Sequence, residues 1–500
     1  MNLGLLLDMA ADGFGDRVVV GRRVDGLTAG RLRALARAGA RELTDSGADA
    51  LVYLAVNGPA FPIALFSAAR AGVPLVPVNY RLGSEQMAAL LANHPRGIGI
   101  ADTPDQQAVL AAAGLTVHSP EQWLALCSKN ESPEGDEAFV DPAAPAVIIY
   151  TSGSTSAPKG VILRHENLTS YVFGSVEFAT ADETDAQLVS VPPYHIAAVA
   201  NSITNLYAGR RQLVLEQFTA DQWLELARSE QVTNAMVVPT MLKRILDTES
   251  DKSLPALRAL AYGGAPMPAP VIEHALREWP RVDFVNAYGL TETSSTIAVL
   301  GPEDHRTALA SADAAVRARL ASVGQVLPSV ELEVRAEDGT MCAAGERGRI
   351  WVAGPQVSAE YAGIGKALDE RGFFDTRDEG WLDQGGYLFI GGRADDTIIR
   401  GAENIAPAEI EDVLLRHAGI ADAVVVGLPN VEWGQSIEAV VVPEPGVTVE
   451  EGELRDYVRG LLRSSKTPDR VFFWNELPRT ETGKLIRRNV VTQLVEELAR

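Results

Sequence analysis

A polar run at residues 150–161 combines hydroxyls, small residues and one lysine between two apolar segments. Residues 146–149 and 161–163 are short and β-prone, so the run is predicted to connect two strands. Its hydroxyls, its backbone N–H groups and Lys159 suit a polyphosphate anion. Lys159 lies between Pro158 and Gly160 and precedes a strand rather than a helix, which disfavours a Walker motif and hence a kinase or GTPase. Taken alone, the run is equally consistent with a surface loop that binds nothing.

The composition narrows the class of protein that carries this run. The chain has 500 residues, 46% of them hydrophobic, which is enough for two or three domains. Its formal net charge of -22 disfavours binding to nucleic acid or to an anionic membrane. Its two cysteines make no disulfide framework, and no Cys/His cluster has metal-ligand spacing. No signal peptide or apolar stretch of transmembrane length is evident, so a cytoplasmic protein is expected.

Strand-like and helical patterns alternate along the first 290 residues. Residues 51–56 predict a strand, 60–71 a helix and 73–78 a strand, which is the alternation of a parallel sheet. From about residue 324 to 393 the pattern changes to short strands with glycine-rich turns. We therefore predict an α/β fold with parallel or mixed sheets and a β subdomain over residues 1–393, and a small mobile α+β domain over residues 394–500.

Five further segments carry residue types suited to chemistry. They are Pro192-Pro193-Tyr194-His195, Tyr262-Gly263-Gly264-Ala265-Pro266, Asn286-Ala287-Tyr288-Gly289-Leu290-Thr291-Glu292, Thr376-Arg377-Asp378 with Gly392-Arg393, and Thr482-Gly483-Lys484. Three of them have a plain structural explanation when taken singly: a packed histidine for the first, a β-turn for the second and a solvated turn near the C-terminus for the last. Together, and in this order, they resemble the adenylate-forming, acyl-activating superfamily. The chain is most similar to AMP-forming acyl-CoA synthetases.

The resemblance implies a role in an ATP site for each segment. Contact with the β- and γ-phosphates is implied for Thr151, Ser152, Gly153, Ser154, Thr155 and Lys159. Contact with the adenine or its surroundings is implied for Gly263, Gly264, Ala265, Asn286, Ala287, Tyr288 and Gly289. Thr291 would bind the α-phosphate, and Glu292 would bind magnesium. Asp378 and Arg393 would bind the ribose. Lys484 would reach the reacting carboxylate and phosphate, beside His195, and is the catalytic lysine of the resemblance.

The same resemblance implies a second half-reaction with coenzyme A. The C-terminal domain would rotate about Asp395 between the two steps, and Gly401, Ala402 and Glu403 would line the CoA channel. Three positions depart from the family pattern, because Ser156, Arg377 and Ala402 stand where the family has glycine. All the side chains assigned to chemistry are present, so we expect a working enzyme.

The acyl pocket is expected between residues 195–201 and 262–290. Its predicted lining is apolar or small apart from the histidine: His195, Ile196, Val199, Ala265 and Leu290. No cationic side chain is among these residues, which disfavours a dicarboxylate and favours an uncharged fatty or aromatic monocarboxylate. The acceptor remains open between CoA and a carrier protein, and a nucleotide-binding relative without activity is the third alternative. Whether the chain forms a homodimer is likewise left open.

Overall fold

Two large sheets form the N-terminal part of the chain. The computed structural model describes residues 1–82, 84–130, 139–151, 159–393, 396–400, 403–430, 434–462, 464–480 and 483–498. The first sheet contains β1 (Val18–Val20), β2 (Leu27–Thr28), β9 (Ala186–Val189), β10 (Arg211–Val214), β11 (Asn234–Val237), β12 (Ala259–Gly263), β13 (Asp283–Leu290), β14 (Ser295–Leu300) and β15 (Gln325–Val326). The order across it is β15-β14-β13-β12-β11-β9-β10-β1-β2. Strands β9 to β13 are mutually parallel, whereas β14 runs antiparallel to β13.

The second large sheet carries the polar run at one of its hairpins. Its strands are β3 (Leu51–Leu54), β4 (Leu75–Pro77), β5 (Ile98–Ala101), β6 (Thr116–His118), β7 (Pro145–Thr151), β8 (Lys159–Arg164), β18 (Glu360–Tyr361) and β19 (Gly365–Lys366). The order is β19-β18-β8-β7-β4-β3-β5-β6. Strands β7 and β8 pair antiparallel, which confirms that the polar run joins two strands.

Helices cover both large sheets. They are α1 (Leu3–Phe14), α2 (Ala29–Asp45), α3 (Ala60–Ala71), α4 (Ser84–Leu91), α5 (Pro104–Ala112), α6 (Pro120–Lys129), α7 (His165–Ser175), α8 (Ile196–Ala208), α9 (Ala220–Ser229), α10 (Pro239–Asp247), α11 (Ala269–Glu278), α12 (Pro302–Ala310) and α13 (Ala314–Ala318). Helix α3 has apolar residues on nearly every face, which matches the burial of nearly all of its side chains. A Cβ atom on Gly39 of α2 would overlap Ser67, so this glycine permits the close packing of α2 on α3.

A smaller antiparallel sheet follows, as the glycine-rich pattern predicts. It consists of β16 (Glu331–Arg335), β17 (Gly348–Ala353), β20 (Phe374–Leu382) and β21 (Leu388–Arg393), paired in that order. Its apolar residues form a cluster around Ile350 and Val352, which also receives Ile297 and Ala298 from β14. The small sheet is therefore attached to the edge of the first large sheet.

The last hundred residues form an α+β unit with its own apolar clusters. Its elements are β22 (Ile398–Arg400), β23 (Glu403–Ile405), α14 (Pro407–Leu414), β24 (Ile420–Asn430), β25 (Gly434–Pro443), α15 (Glu451–Leu461), β26 (Arg470–Phe473) and α16 (Arg487–Leu498). Strands β24, β25 and β26 form one sheet, with apolar clusters on its two faces made of residues from 398 onward. The predicted fold class is confirmed. The boundary at residues 393 and 394 stays a prediction, which these clusters support.

Candidate active site

The residues singled out in the sequence converge at the carboxyl ends of parallel strands. Gly263 ends β12, and the segment from Asn286 to Leu290 lies in the last part of its neighbour β13. A short 3-10 helix, Thr291–Thr293, follows β13 directly. Ligands in open α/β sheets bind at this edge, because the loops there leave a crevice between helices and strand ends.

Steric constraints explain why glycines occur at the end of β12. A Cβ atom on Gly263 would overlap the carbonyl oxygen of Ala287 on the adjacent strand, and Gly264 has a φ of +81°. From the opposite side of the sheet, the buried Tyr262 hydroxyl lies 2.8 Å from His305 Nε2, and His305 Nδ1 lies 2.7 Å from the Gly301 carbonyl oxygen. The end of β12 therefore lies close against β13 with no side chain at residues 263 and 264, while Tyr262 is held from the opposite side.

The β13 segment is held by side-chain bonds and a tight turn. Asn286 Nδ2 donates to the Ser322 carbonyl at 3.1 Å, which fixes the orientation of the amide. A Cβ atom on Gly289 would overlap the Ser295 carbonyl oxygen. After Glu292, Ser294 and Ser295 adopt φ values of +56° and +101°, unusual for residues with a side chain. This strained turn brings β14 back alongside β13 and leaves Thr291 and Glu292 at the strand end.

Asp378 and Arg393 face each other across β20 and β21. They are direct partners in the antiparallel register, and Arg393 Nε donates to Asp378 Oδ1 at 3.1 Å. The Tyr288 hydroxyl donates to Asp378 Oδ2 at 2.5 Å. Burial raises the pKa of Asp378 above its usual range, although Arg393 and the Tyr288 hydrogen bond act in the opposite direction. The structure thus brings the predicted ribose pair, Asp378 and Arg393, into one hydrogen-bond network with Tyr288 from the predicted adenine surroundings.

Glu292 is anchored at both its backbone and its carboxylate. Its carbonyl oxygen accepts hydrogen bonds from the N–H groups of Ser358 and Ala359 at 2.9 and 3.1 Å. Its carboxylate oxygen Oε1 accepts a hydrogen bond from the Tyr361 hydroxyl at 3.0 Å. Within the described part of the chain, no group of three or more His, Cys, Asp or Glu residues could hold a metal ion. One fixed carboxylate fits magnesium, which commonly takes its other ligands from phosphates and water.

Lys484 enters the same cleft from the C-terminal unit. Its backbone N–H donates to Thr480 Oγ1 at 3.0 Å, and the preceding Gly483 has a φ of +74° and packs against Thr240 of α10. The side chain is exposed to the cleft, among Arg393, Asp378, Asp396 and Glu292. Desolvation and Arg393 lower the pKa of Lys484, whereas the three carboxylates act in the opposite direction.

His195 lies next to this lysine at the start of α8. It is the N-cap residue of the helix, and its Nδ1 is buried with no hydrogen-bond partner among the described residues. Burial, with a smaller contribution from Lys484, lowers the pKa of His195 to about 4, so the imidazole is neutral at physiological pH. A neutral histidine with a buried unpaired nitrogen can take part in a hydrogen bond with a substrate carboxylate or its environment.

One face of the central strands remains open to solvent beside α8. On β11 and β12, Asn234, Met236, Ala259 and Ala261 are partly exposed, whereas their neighbours on the opposite face are buried. Val285 continues this face on β13, in register with Ala261. Asn201 of α8 closes the gap, because its Nδ2 lies 3.2 Å from Met236 Sδ and donates to the Ala197 carbonyl at 2.7 Å. We call the strip between α8 and this partly exposed face, from His195 to the Asn201–Met236 contact, the α8 channel.

The residues predicted to line the acyl pocket have different surroundings, and their role there stays a prediction. Val199 is completely buried in the main core, because the helical period of α8 directs it away from the channel. Leu290 packs against the apolar cluster of the small sheet. Ile196 is nearly buried at the first turn of α8, and Ala265 is partly exposed after β12. Asn201 and Met236 carry no motif signal, and only the alternating exposure along β11 identifies them.

Several predicted site residues are outside the described residues. They are Ser152, Gly153, Ser154, Thr155, Ser156, Asp395, Gly401 and Ala402. At the ends of the polar run, Thr151 Oγ1 lies 3.5 Å from the Lys159 carbonyl oxygen. Glu403 begins β23 opposite Arg400. Arg377, where the family pattern has glycine, has a φ of +62° and an exposed side chain.

Comparison with known proteins identifies the family. The model of the AMP-binding enzyme family matches residues 7–362, and that of its C-terminal domain matches residues 409–484. The chain belongs to the AMP-binding enzymes. The prediction of an adenylate-forming, acyl-activating ligase is thereby confirmed, whereas the roles of individual site residues stay predictions.

Individual relatives within this family of AMP-binding enzymes cover most of the chain. A fatty acid--[acyl-carrier-protein] ligase of Streptomyces coeruleorubidus is 32% identical, over 88% of this chain and 86% of that protein. A feruloyl-CoA synthase of Amycolatopsis is 34% identical, over 88% of both chains. The structure of the o-succinylbenzoate coenzyme A synthetase of Bacillus subtilis with ATP and magnesium superimposes with a TM-score of 0.85 at 28% identity, covering 97% of this chain and 99% of that one.

Proposed function

We propose that this AMP-binding enzyme activates an uncharged, short aromatic monocarboxylate to its acyl-adenylate and transfers the acyl group to coenzyme A. The observation that carries the proposal is the meeting of Lys484, Glu292, Asp378 and Arg393 in one cleft at the mouth of the α8 channel. The cleft has the charges to hold ATP, and the channel has an apolar wall to hold the acid. Related enzymes that bind ATP and magnesium have the same fold.

Charge repulsion is the main obstacle in the first half-reaction. A carboxylate oxygen attacks the α-phosphorus of ATP, an oxygen–phosphorus bond forms, and the bond to pyrophosphate breaks. Lys484 and Thr291 would stabilise the negative charge on the α-phosphate as the anions approach. Magnesium, held by Glu292 and the phosphates, would offset charge on the leaving group. Lys159 and the polar run would position the pyrophosphate leaving group. Asp378 and Arg393 would position the ribose.

The depth of the channel supports a short acid. His195 and Asn201 are separated by six positions of α8, or about 9 Å along the helix axis. Ala261, Val285 and Met236 form the described wall on the sheet side and carry no charge. A flat aromatic acid suits a slot of this depth between a helix and a sheet. The Asn201 amide at its end offers a hydrogen bond to a ring substituent.

A carrier protein is the second candidate for the acyl acceptor. One of the two relatives described above transfers fatty acids to an acyl carrier protein, and the other makes feruloyl-CoA. We favour CoA because feruloyl-CoA synthase combines this acceptor with an aromatic acid, which fits the channel. In this proposal the C-terminal unit rotates at Asp395, and Gly401, Ala402 and Glu403 line the CoA channel. Free thiols at Cys127 and Cys342 agree with a reducing cytoplasm, which supplies ATP and CoA.

Pyrophosphate release across a panel of acids tests the proposal. Cinnamate, benzoate, indoleacetate, hexanoate, palmitate and malonate are each supplied with ATP and magnesium, with and without CoA. We expect the highest kcat/KM with an aromatic acid, and AMP formation that continues beyond one turnover only with CoA. Turnover that is independent of CoA but requires a carrier protein would establish the second candidate. ATP binding without pyrophosphate release from any acid would contradict the proposal.

Variants at two lysines connect this activity to the proposed cleft. Lys484→Ala is expected to abolish adenylate formation while largely retaining thiolysis of supplied acyl-adenylate. Lys243→Ala is the matched control, because this exposed lysine pairs with Asp247 on the surface of α10. If Lys484→Ala lost both half-reactions equally, the hypothesis that this lysine acts in the first half-reaction alone would be contradicted.

A further inference from the structure

Tyr361 connects two parts of the cleft that are distant in sequence. It is the last residue of β18 and pairs with Val161 of β8, and the next residue, Ala362, donates its N–H to the Gly160 carbonyl at 2.8 Å. The backbone of Tyr361 is therefore fixed to the strand that begins with Lys159. The resemblance that identified the ATP site assigned no role to this tyrosine.

The Tyr361 side chain reaches from this strand to Glu292. Its hydroxyl donates to Glu292 Oε1 at 3.0 Å, and Lys159 Nζ lies 5.8 Å from the centroid of its ring. The phenol O–H is the donor in this contact, because an ionised carboxylate can only accept. One aromatic side chain thus contacts both the proposed metal ligand and the lysine of the polar run.

The hydrogen bond distinguishes the two carboxylate oxygens of Glu292. Oε1 accepts from the phenol, so Oε2 would be the oxygen that coordinates magnesium. Magnesium requires nearly ideal octahedral geometry, and a glutamate that rotates freely would lose conformational entropy on coordination. Hydrogen bonds to a metal-binding carboxylate reduce this cost by fixing its orientation before the metal binds.

We propose that Tyr361 is a positioning residue that orients Glu292 for magnesium and couples it to the phosphate-contacting lysine. The inference rests on the proposed role of Glu292 as the metal ligand. It predicts that the Tyr361 hydroxyl contributes to binding of metal–ATP but not to binding of AMP, which lacks the phosphates that share the metal. The hydroxyl contributes to the first half-reaction and not to thiolysis.

Tyr361→Phe removes the hydroxyl and keeps the ring over Lys159. Tyr387→Phe is a matched control, because the Tyr387 hydroxyl also donates to a carboxylate, Asp304 Oδ1 at 2.6 Å, and an arginine, Arg319, lies 4.1 Å from its ring centroid. Mn2+ serves as the probe, with its binding in the presence of ATP measured by electron paramagnetic resonance. AMP affinity is measured by calorimetry. Substituting a residue that hydrogen-bonds a metal ligand typically weakens metal binding by about 10- to 100-fold.

We expect Tyr361→Phe to weaken Mn2+ binding in the ATP complex by about tenfold, with unchanged AMP affinity and unchanged thiolysis. The KM for magnesium–ATP should rise by a similar factor, more than kcat falls. Tyr387→Phe should match the unmodified protein in every measurement. Wild-type Mn2+ affinity in Tyr361→Phe, or an equal loss of AMP affinity, would overturn the inference.

Glu292→Gln separates this inference from the function on which it rests. If Glu292→Gln weakens Mn2+ binding and Tyr361→Phe does not, the metal ligand is correct and the positioning role is wrong. If neither variant weakens it, the assignment of Glu292 as metal ligand is wrong as well. If both weaken it, the double variant should resemble Glu292→Gln alone, because the hydroxyl acts through that carboxylate.

Discussion

Replacing Gly483 with alanine should selectively destabilise the orientation of the C-terminal unit in which Lys484 enters the cleft. A Cβ atom at this position would overlap Thr240 Oγ1 and lie 2.8 Å from Cγ2 and 3.0 Å from Cβ of the same residue. Thr240 belongs to α10 of the large domain, whereas Gly483 precedes Lys484 in the C-terminal unit. The clash therefore opposes the orientation that places Lys484 in the cleft.

The size of the effect follows from two separate contributions. The φ of +74° costs an alanine about 1 kcal/mol in any orientation of the unit. The contact with Thr240 adds about 1–3 kcal/mol of overpacking only when the unit is docked as described here. At 1.36 kcal/mol per factor of ten, the second contribution corresponds to about a 5- to 160-fold loss of adenylate formation. Thiolysis should not be affected by this contribution.

Single-turnover measurements of both half-reactions test this prediction. Gly446→Ala is the control, because Gly446 has a φ of +78° in the same unit and its Cβ atom would meet nothing within 4 Å. Adding Thr240→Ala to Gly483→Ala removes the two closest atoms and should restore part of the adenylation rate. A Gly483→Ala variant that loses both half-reactions equally, or that behaves like Gly446→Ala, would refute the reasoning.

Three further predictions concern strain, protonation and substrate length. Arg377→Gly should raise the free energy of unfolding, measured by urea denaturation, by about 0.5–1 kcal/mol because glycine accepts the φ of +62°. An equal gain in Arg377→Ala would show that relief of backbone strain is not the cause. The pKa of His195 is about 4 in the folded protein and 6.5 when unperturbed, so its contribution to stability should be lost as pH falls from 6.5 towards 4. His195→Gln should reduce the slope of unfolding free energy against pH by about one proton, and an unchanged slope would contradict the shift. Asn201→Ala should open the channel at Met236 and raise kcat/KM for longer acids relative to benzoate, whereas a uniform loss for all acids would place Asn201 outside the channel.

Local patterns in the sequence were sufficient for most of the fold. Helix α3 begins and ends at the predicted residues, because its sequence has a continuous helical pattern with a clear start. Strands β3 and β4 lie within the predicted strands at residues 51–56 and 73–78, and their ends differ from the prediction by at most two residues. Departure from the family pattern also identified Arg377, whose left-handed backbone explains why glycine is usual there.

Contacts between distant segments account for what the sequence did not reveal. Tyr361 and Glu292 are 69 positions apart, and nothing in the residues around Tyr361 indicates an acceptor. Val199 is predicted to line the acyl pocket because it is apolar and close to His195, whereas its complete burial in the core depends on how α8 packs, which the local sequence does not show. The Asn201–Met236 contact likewise depends on the separation of a helix and a strand, which no local periodicity encodes.

The position of Arg393 has a consequence for how long the nucleotide stays bound. Arg393 is the last residue of β21, and the proposed pivot at Asp395 follows two residues later. Atoms close to a rotation axis move little when a domain turns, whereas those far from it, such as Lys484, move a long way. If Asp378 and Arg393 hold the ribose as proposed, the sugar would keep both of these side-chain partners throughout the rotation. The adenylate would remain attached through its ribose while the lysine that helped to form it departs, so the activated acid is not released to water between the two steps.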